Sequence, residues 1–284
     1  MVLLAAGATV DQATNDGATP LLFVACLEGY TEIASVLLDE GGANPNQADK
    51  DGRTPLYVAC RFGNKETASV LLEGGATVDQ ANKDGGTPLY GACYGGHTET
   101  ARVLLSGGAN PNQANKIGWT PLYMACKKGH TETASVLLEG GATVDQADKD
   151  GATPLYMACK NGYTDIVKVL LEGGAPVDQA NKNGETPLYV ACNPWNGRNN
   201  TNIVRVLLAA RADPNQVKND GATPLYVACQ EGHTDIVRVL LEGGADPNQA
   251  DKDGTTPLSI AKRYNRGFVN RDMCVARLRK AGAH

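Results

Sequence analysis

Apolar and polar positions fall in a fixed order that recurs along the chain. From Thr153, an apolar run Leu155-Tyr156-Met157-Ala158-Cys159 stops at Asn161-Gly162. A second set, Ile166, Val167, Val169, Leu170 and Leu171, then follows helical spacing up to Gly173-Gly174. Thr153 stands where an N-cap oxygen is wanted, and Pro154 fits the first helical position, where no N–H is needed. The pattern predicts a second helix capped by Thr164, with Asp165 in its favourable first turn. Gly173-Gly174 ends that helix by allowing a left-handed residue, and Asp148-Lys149-Asp150-Gly151 carries the turn residues of a linker.

The same order repeats throughout. Thr-Pro-Leu begins at Thr19, Thr54, Thr87, Thr120, Thr153, Thr186, Thr223 and Thr256, at intervals of 35, 33, 33, 33, 33, 37 and 33 residues. Whole phrases recur, as in DGATPLYMACKNGYTDIVKVLLEGGA from Asp150 and DGATPLYVACQEGHTDIVRVLLEGGA from Asp220. Two helices of about ten residues do not persist alone in water. Each unit must bury its apolar stripe against its neighbours, which predicts a solenoid.

These residues resemble the ankyrin repeat family. Asp251-Lys252-Asp253-Gly254-Thr255-Thr256-Pro257-Leu258 carries the family's opening, and Gly232-His233-Thr234-Asp235-Ile236-Val237-Arg238-Val239-Leu240-Leu241 its second helix. The resemblance implies an all-α solenoid of paired antiparallel helices linked by short hairpin-like turns, elongated and curved. It divides residues 1–284 as one array. Residues 1–13 form a partial repeat, and 14–48, 49–81, 82–114, 115–147, 148–180, 181–217 and 218–250 form full repeats. Residues 251–284 form a capping repeat with a basic helix. One departure is systematic: the family's His after Thr-Pro-Leu is Tyr at Tyr57, Tyr90, Tyr123, Tyr156, Tyr189 and Tyr226. We read the phenol as a packing variant that presents its polar tip to a neighbouring backbone.

Composition narrows the class. Gly and Pro make up 47 of 284 residues and aromatics only 5%, too few rings for a bulky enzyme core and too much Gly and Pro for long helices. No apolar run approaches the ~18–20 residues of a membrane span. Seven of the eight Cys share one place in the first helix: Cys26, Cys60, Cys93, Cys126, Cys159, Cys192 and Cys229. Stacked helices lie roughly 8–10 Å apart, whereas a disulfide needs Cα atoms at about 4.4–6.8 Å. These thiols therefore read as small buried hydrophobes of a reducing, intracellular, cytoplasmic chain. His97, His130 and His233 share the turn between helices, one per unit, so neither a metal cluster nor a general base is assembled. No catalytic constellation and no cofactor motif is found, and a non-enzymatic monomer is expected.

Three segments break the period. Val2 to Ala13 matches the stretch from Val70, so the chain opens inside a second helix. One reading is a cut from a longer array, making the chain the C-terminal recognition segment of a larger multidomain protein. The other is a half-cap. The first full unit carries one extra residue in Thr19-Pro20-Leu21-Leu22 and another in Asp39-Glu40-Gly41-Gly42, which predicts either a π-bulge or a slipped first turn. The sixth gains four residues within Asn193-Pro194-Trp195-Asn196-Gly197-Arg198-Asn199-Asn200, a loop on one face. Residues 262–284 carry net +6, leaving −11 on residues 1–261. The basic end reads as a polar terminal cap, since the acidic body opposes nucleic acid.

Specificity belongs at the positions that vary. By resemblance, turn tips and the end of the first helix line a concave surface that grips other proteins. Outliers concentrate in the second to fourth units: Phe62, Tyr94, Ile117 and Trp119, ringed by Arg53, Arg61, Lys116, Lys127, Lys128 and, one unit on, Lys160. Trp195 and Arg198 of the loop are the residue types that dominate binding energetics. An apolar patch with a basic rim predicts a partner protein with apolar anchors in an acidic surface. The bland alternatives are drift on a solvated face, Trp119 covering an adjacent tip, and Trp195 folding back.

Overall fold

Each Thr-Pro-Leu starts a helix, and the starts share one chemistry. In the computed structural model, which describes residues 20–193, 200–263 and 269–284, the Thr54 hydroxyl accepts the Tyr57 N–H at 3.1 Å, with Pro55 at the first helical position. Thr87, Thr120, Thr153, Thr186 and Thr223 repeat the bond with their own tyrosines, and all six threonines are buried. Each buried threonine satisfies one of the open N–H groups at the start of its first helix. The partial repeat expected at 1–13, and Trp195 and Arg198, lie outside the described residues.

The second helices start differently. Thr164 is not a cap: its helix runs Thr164–Glu172, with Tyr163 at the N-cap position and no side-chain cap bond. The unit before last in the first half shows why. Gly96 ends a first helix in the left-handed region, and His97 alone separates it from the next helix, at φ −86° and ψ 79°. Thr98 N–H donates back to the Gly96 carbonyl at 3.1 Å, an inverse γ-turn. One residue is too little chain for a side-chain cap, so the glycine carbonyl takes the role. The threonine hydroxyls bond between neighbouring units instead, Thr31 with Thr67 at 3.0 Å and Thr98 with Thr133 at 2.8 Å.

Sixteen helices and no strand are found among the described residues, in two compact units, Met1–Gln146 and Ala147–His284. The first unit holds the pairs α1 (Pro20–Glu28) and α2 (Thr31–Asp39), α3 (Pro55–Phe62) and α4 (Lys65–Glu73), α5 (Pro88–Gly95) and α6 (Thr98–Ser106), and α7 (Pro121–Lys128) and α8 (Thr131–Glu139). The second holds α9 (Pro154–Asn161) and α10 (Thr164–Glu172), α11 (Pro187–Ala191) and α12 (Thr201–Ala209), α13 (Pro224–Glu231) and α14 (Thr234–Glu242), and α15 (Pro257–Arg263) and α16 (Val269–Lys280). Within each unit, first helices pack on first helices and second on second. The core is a row of leucines, Leu56, Leu89 and Leu122 facing Leu71, Leu104 and Leu137 in the first unit, all fully buried. All eight cysteines are unbridged and buried.

The extra residue near Pro20 makes no π-bulge; it is taken up in the first turn, where Leu21 is exposed and Leu22 fills the buried place that Leu56 fills one repeat on. α1 is a continuous α-helix of nine residues where α3, α5 and α7 have eight. Between helix pairs, each linker folds into a tip that bonds its neighbour. Lys83 N–H donates to the Asp51 carbonyl at 2.8 Å and Lys116 N–H to that of Asp84 at 2.8 Å. In the second unit, Lys182, Asn219 and Lys252 repeat the bond to Asp150, Asn183 and Asp220. Gly85 sits at φ +83°, and a Cβ there would lie 2.9 Å from the Lys116 nitrogen. The tips approach this closely only because glycine has no side chain.

Candidate functional site

The tip of each linker is closed by its own side chain, which fixes what points outward. Asn115 Oδ1 accepts the N–H of Ile117 at 3.1 Å and of Trp119 at 2.9 Å, while Asn115 N–H donates to the Trp119 carbonyl at 3.0 Å. This Asx turn holds residues 116–119 on a rigid loop. Behind the tips, the tyrosines after Thr-Pro-Leu line the first helices. Burial raises the proton affinity of Tyr57 and pushes Tyr90 up to about 12, so both stay neutral phenols. The phenols meet side chains of the following tip, where neighbouring backbone was expected. Asn115 Nδ2 donates to the Tyr90 oxygen at 3.4 Å, and Tyr156 OH donates to Glu185 Oε2 at 2.9 Å. The Asx turn consumes the tip's backbone donors, leaving its side chains to the phenols.

Cations lie over this aromatic floor. In the first unit, the Arg61 guanidinium sits 4.0 Å from the Tyr94 ring centroid, and the Lys128 ammonium 4.2 Å from the same ring. Tyr94 is thus flanked by two charges from the helix ends before and after its own. Hydrogen bonding from Lys128, the Lys128 charge and then the Arg61 charge lower its proton affinity. Arg61 also lies 6.0 Å from the Phe62 ring. One repeat on, Trp119 stacks on Tyr123 with centroids 5.5 Å apart and planes 16° apart, and the Lys127 ammonium rests 3.4 Å from the Trp119 centroid. Phe62 is 54% exposed and Ile117 48%. A groove of about 360 Å³ is lined by Arg61, Tyr90, Tyr94, Lys116 and Ile117, with Asp84 on its wall.

The structure therefore brings together most of the residues singled out in the first unit. Arg61, Phe62, Tyr94 and Lys128 form one cluster, Trp119 and Lys127 a second, and Lys116 with Ile117 lines the groove. Trp119 is half-buried on Tyr123 of its own repeat. Arg53 turns into its own tip, 2.8 Å from Asp49 and 2.8 Å from Asp51, so its charge is already compensated. In the second unit, Lys160 lies 5.8 Å from the Tyr156 ring and lines another groove of about 360 Å³ with Glu185, Tyr189 and Asn193. Sequence reasoning passed over the tyrosine floor and Glu185. Their signal was the His-to-Tyr departure itself, whose position faces the variable tip.

The turn histidines serve the backbone under this face. A carbonyl can only accept, so His97 Nε2–H donates to the Arg61 carbonyl at 3.2 Å, and His130 Nε2–H to that of Tyr94 at 3.4 Å. Asn64 occupies the same place one repeat earlier and donates to the Cys26 and Leu27 carbonyls at 2.8 and 3.0 Å. Each satisfies the open carbonyls at the end of the preceding first helix. Among the described residues no three His, Cys, Asp or Glu side chains are grouped to hold a metal, and no helix is long and apolar enough to cross a membrane.

Comparison with known proteins agrees with this geometry. A family model described as ankyrin repeats (3 copies) matches residues 1–82, 74–148, 141–215 and 195–281. A search of curated proteins finds no match. With the recurrent Thr-Pro-Leu starts, the paired helices and family matches along almost its whole length, the chain belongs to the ankyrin repeat family, whose repeats are protein–protein interaction modules.

Proposed function

We propose that this chain is a non-enzymatic scaffold that binds a partner protein through the face formed by its tips and first helices. The observation that carries the reading is Tyr94 held between Arg61 and Lys128, beside exposed Phe62 and Ile117. Large apolar side chains standing in water on rigid helix ends, next to cations already oriented by ring contacts, are the residue types and setting of binding hot spots. The loops carrying them are tied by Asx turns and tip-to-tip bonds, so docking orders little chain and loses little entropy. Lys160 and the loop residues Trp195 and Arg198 belong, in this reading, to a further contact.

The test is affinity capture with mass spectrometry, comparing the native chain with a Phe62→Ala, Tyr94→Ala, Trp119→Ala triple variant of matched thermal stability. A protein retained by the native chain and lost by the variant supports binding at this face. A protein retained by both moves the contact to Lys160, Trp195 and Arg198. Capture of nothing by either chain counts against the scaffold reading.

A further inference from the structure

The charge on this face is distributed in a way that selects a partner's chemistry. Within the first unit, Arg61 and Lys116 line the groove and Lys128 lies over the ring of Tyr94 on its wall, and among the described residues none of the three is in an ion pair. Arg53, by contrast, is neutralised by Asp49 and Asp51. The opposite side of the same unit, made by the second helices, presents exposed Glu66, Glu73, Glu99, Glu132 and Glu139. Arg102 there is already shared between Glu99 and Glu139 at 3.5 Å each. An acidic ligand is therefore repelled from one side and drawn to the other.

At the groove the attraction has a definite place. Arg61 and Lys128 lie over the Tyr94 ring from neighbouring repeats, 4.0 and 4.2 Å from its centroid. The half-buried Tyr94 side chain brings its own O–H donor beside these two cations. Two cations and one hydroxyl donor converging on a half-exposed ring make a receptor for a single anionic group. Exposed Ile117 lines the same groove and offers a surface for an apolar neighbour. Asp84 on the wall disfavours a second anion near the tip, which gives the site a direction.

We propose that Arg61, Lys128 and the Tyr94 hydroxyl bind one carboxylate side chain of an acidic segment, with the segment's neighbouring apolar side chain placed against Ile117. This rests on the protein-binding reading above and names its ligand. Carboxylate is preferred to nucleic-acid phosphate because the groove takes one anion beside an apolar group, and because exposed carboxylates around the rest of the chain oppose an extended polyanion.

Fluorescence anisotropy of the full chain with labelled short peptides tests this. The probes are peptides pairing Glu with a nearby Leu or Phe, counterparts with Gln in place of Glu, and a single-stranded oligonucleotide. The acidic peptides are expected to bind about tenfold more tightly than their Gln counterparts, the order expected for a charge-assisted contact. An Arg61→Gln, Lys128→Gln variant is expected to abolish that preference. Tyr94→Phe keeps the ring and its cations but loses the donor, and is expected to weaken only the Glu peptides. Arg102→Gln, on the opposite side, is expected to change nothing. Equal binding of Glu and Gln peptides, no binding of either, or a preference that survives Arg61→Gln, Lys128→Gln overturns the carboxylate assignment. So does tighter binding of the oligonucleotide than of the peptides. If the Phe62, Tyr94, Trp119 variant still loses a captured protein in any of these cases, the scaffold reading stands without this ligand.

Discussion

At the scale of single residues, the backbone rules are followed so regularly that the exceptions carry information. Arg211, at φ 68°, is the one residue other than glycine with positive φ among the described residues, at the place where Gly174 and Gly244 end their helices. A left-handed residue with a Cβ costs roughly 1–2 kcal/mol, and glycine's larger unfolded-state freedom offsets part of that, so Arg211→Gly is expected to stabilise the protein by about 0.5–1 kcal/mol. The midpoint of urea unfolding measures it, and an unchanged or lower midpoint contradicts the expectation. The turn histidines give a pH dependence. Burial, the largest cause, lowers the proton affinity of His97 and His233 below the ordinary value of 6.5. At His97 the Arg61 and His130 charges act the same way and the bond to the Arg61 carbonyl opposes them. A base with a depressed native pKa is protonated first in the unfolded chain. Stability is thus full above the unfolded-state value of about 6.5 and is lost as pH falls from there through the native values. His97→Asn places at this turn the side chain that Asn64 uses for the same carbonyl bonds. It is expected to keep stability at neutral pH and to reduce the acid loss, as read by unfolding midpoints on either side of about pH 6.5. The His97 and Asn64 roles were not legible in sequence, because the carbonyls they reach belong to the preceding repeat.

At the scale of elements, the two glycines that close the second helices α4, α6, α8, α10 and α14 have different reasons to be there. The first is packed from outside: a Cβ on Gly140 would come 2.8 Å from Leu105 of the preceding repeat. The second, Gly141, has φ +85° and open space around it, so its demand is conformational alone. Sequence reasoning found the second reason, which is local, and missed the first, which needs a neighbour. The tips show both at once. Gly85→Ala would force a Cβ against the Lys116 nitrogen and hold a left-handed residue, and is expected to destabilise by about 2 kcal/mol or more. Amide exchange at Lys116 reports whether the bond to Asp84 is lost with it, and full protection there would contradict this account. Second-helix starts were misread for a similar reason. Thr164 has the right chemistry for a cap, but the single residue between helices leaves it inside the helix, and the preceding glycine carbonyl closes the turn.

At the scale of the whole molecule, a repeat is held only by its neighbours, so the least covered repeat should open first. In the pair α1 and α2, Val24 is 51% and Ile33 51% exposed, although the equivalent Met124 and Ile166 are buried. Burial lifts the Cys26 thiol in this pair to about 12, and raises those of Cys60, Cys93, Cys126, Cys159, Cys192 and Cys229 as well. All should resist a thiol reagent in the native state, with Cys26 labelled ahead of Cys93 as denaturant is raised. Simultaneous labelling of the two would mean that the first unit opens as a whole. The sequence by itself determined the repeat, the paired helices, the Thr caps and the buried row of cysteines, because these follow from spacing and intrinsic conformational preference within one unit. It also placed Arg61, Phe62, Tyr94, Ile117 and Trp119 on variable positions. Only the tertiary structure decided that Arg53 is neutralised in its own tip, that Arg61 and Lys128 converge on Tyr94, and that Tyr90 and Tyr123 floor the site. The Tyr94 contacts join side chains about one repeat apart, and a ring or a charge finds its partner there by distance and direction in space, which spacing along a single unit does not encode. The Arg53 pairs are near in sequence but depend on how the tip folds.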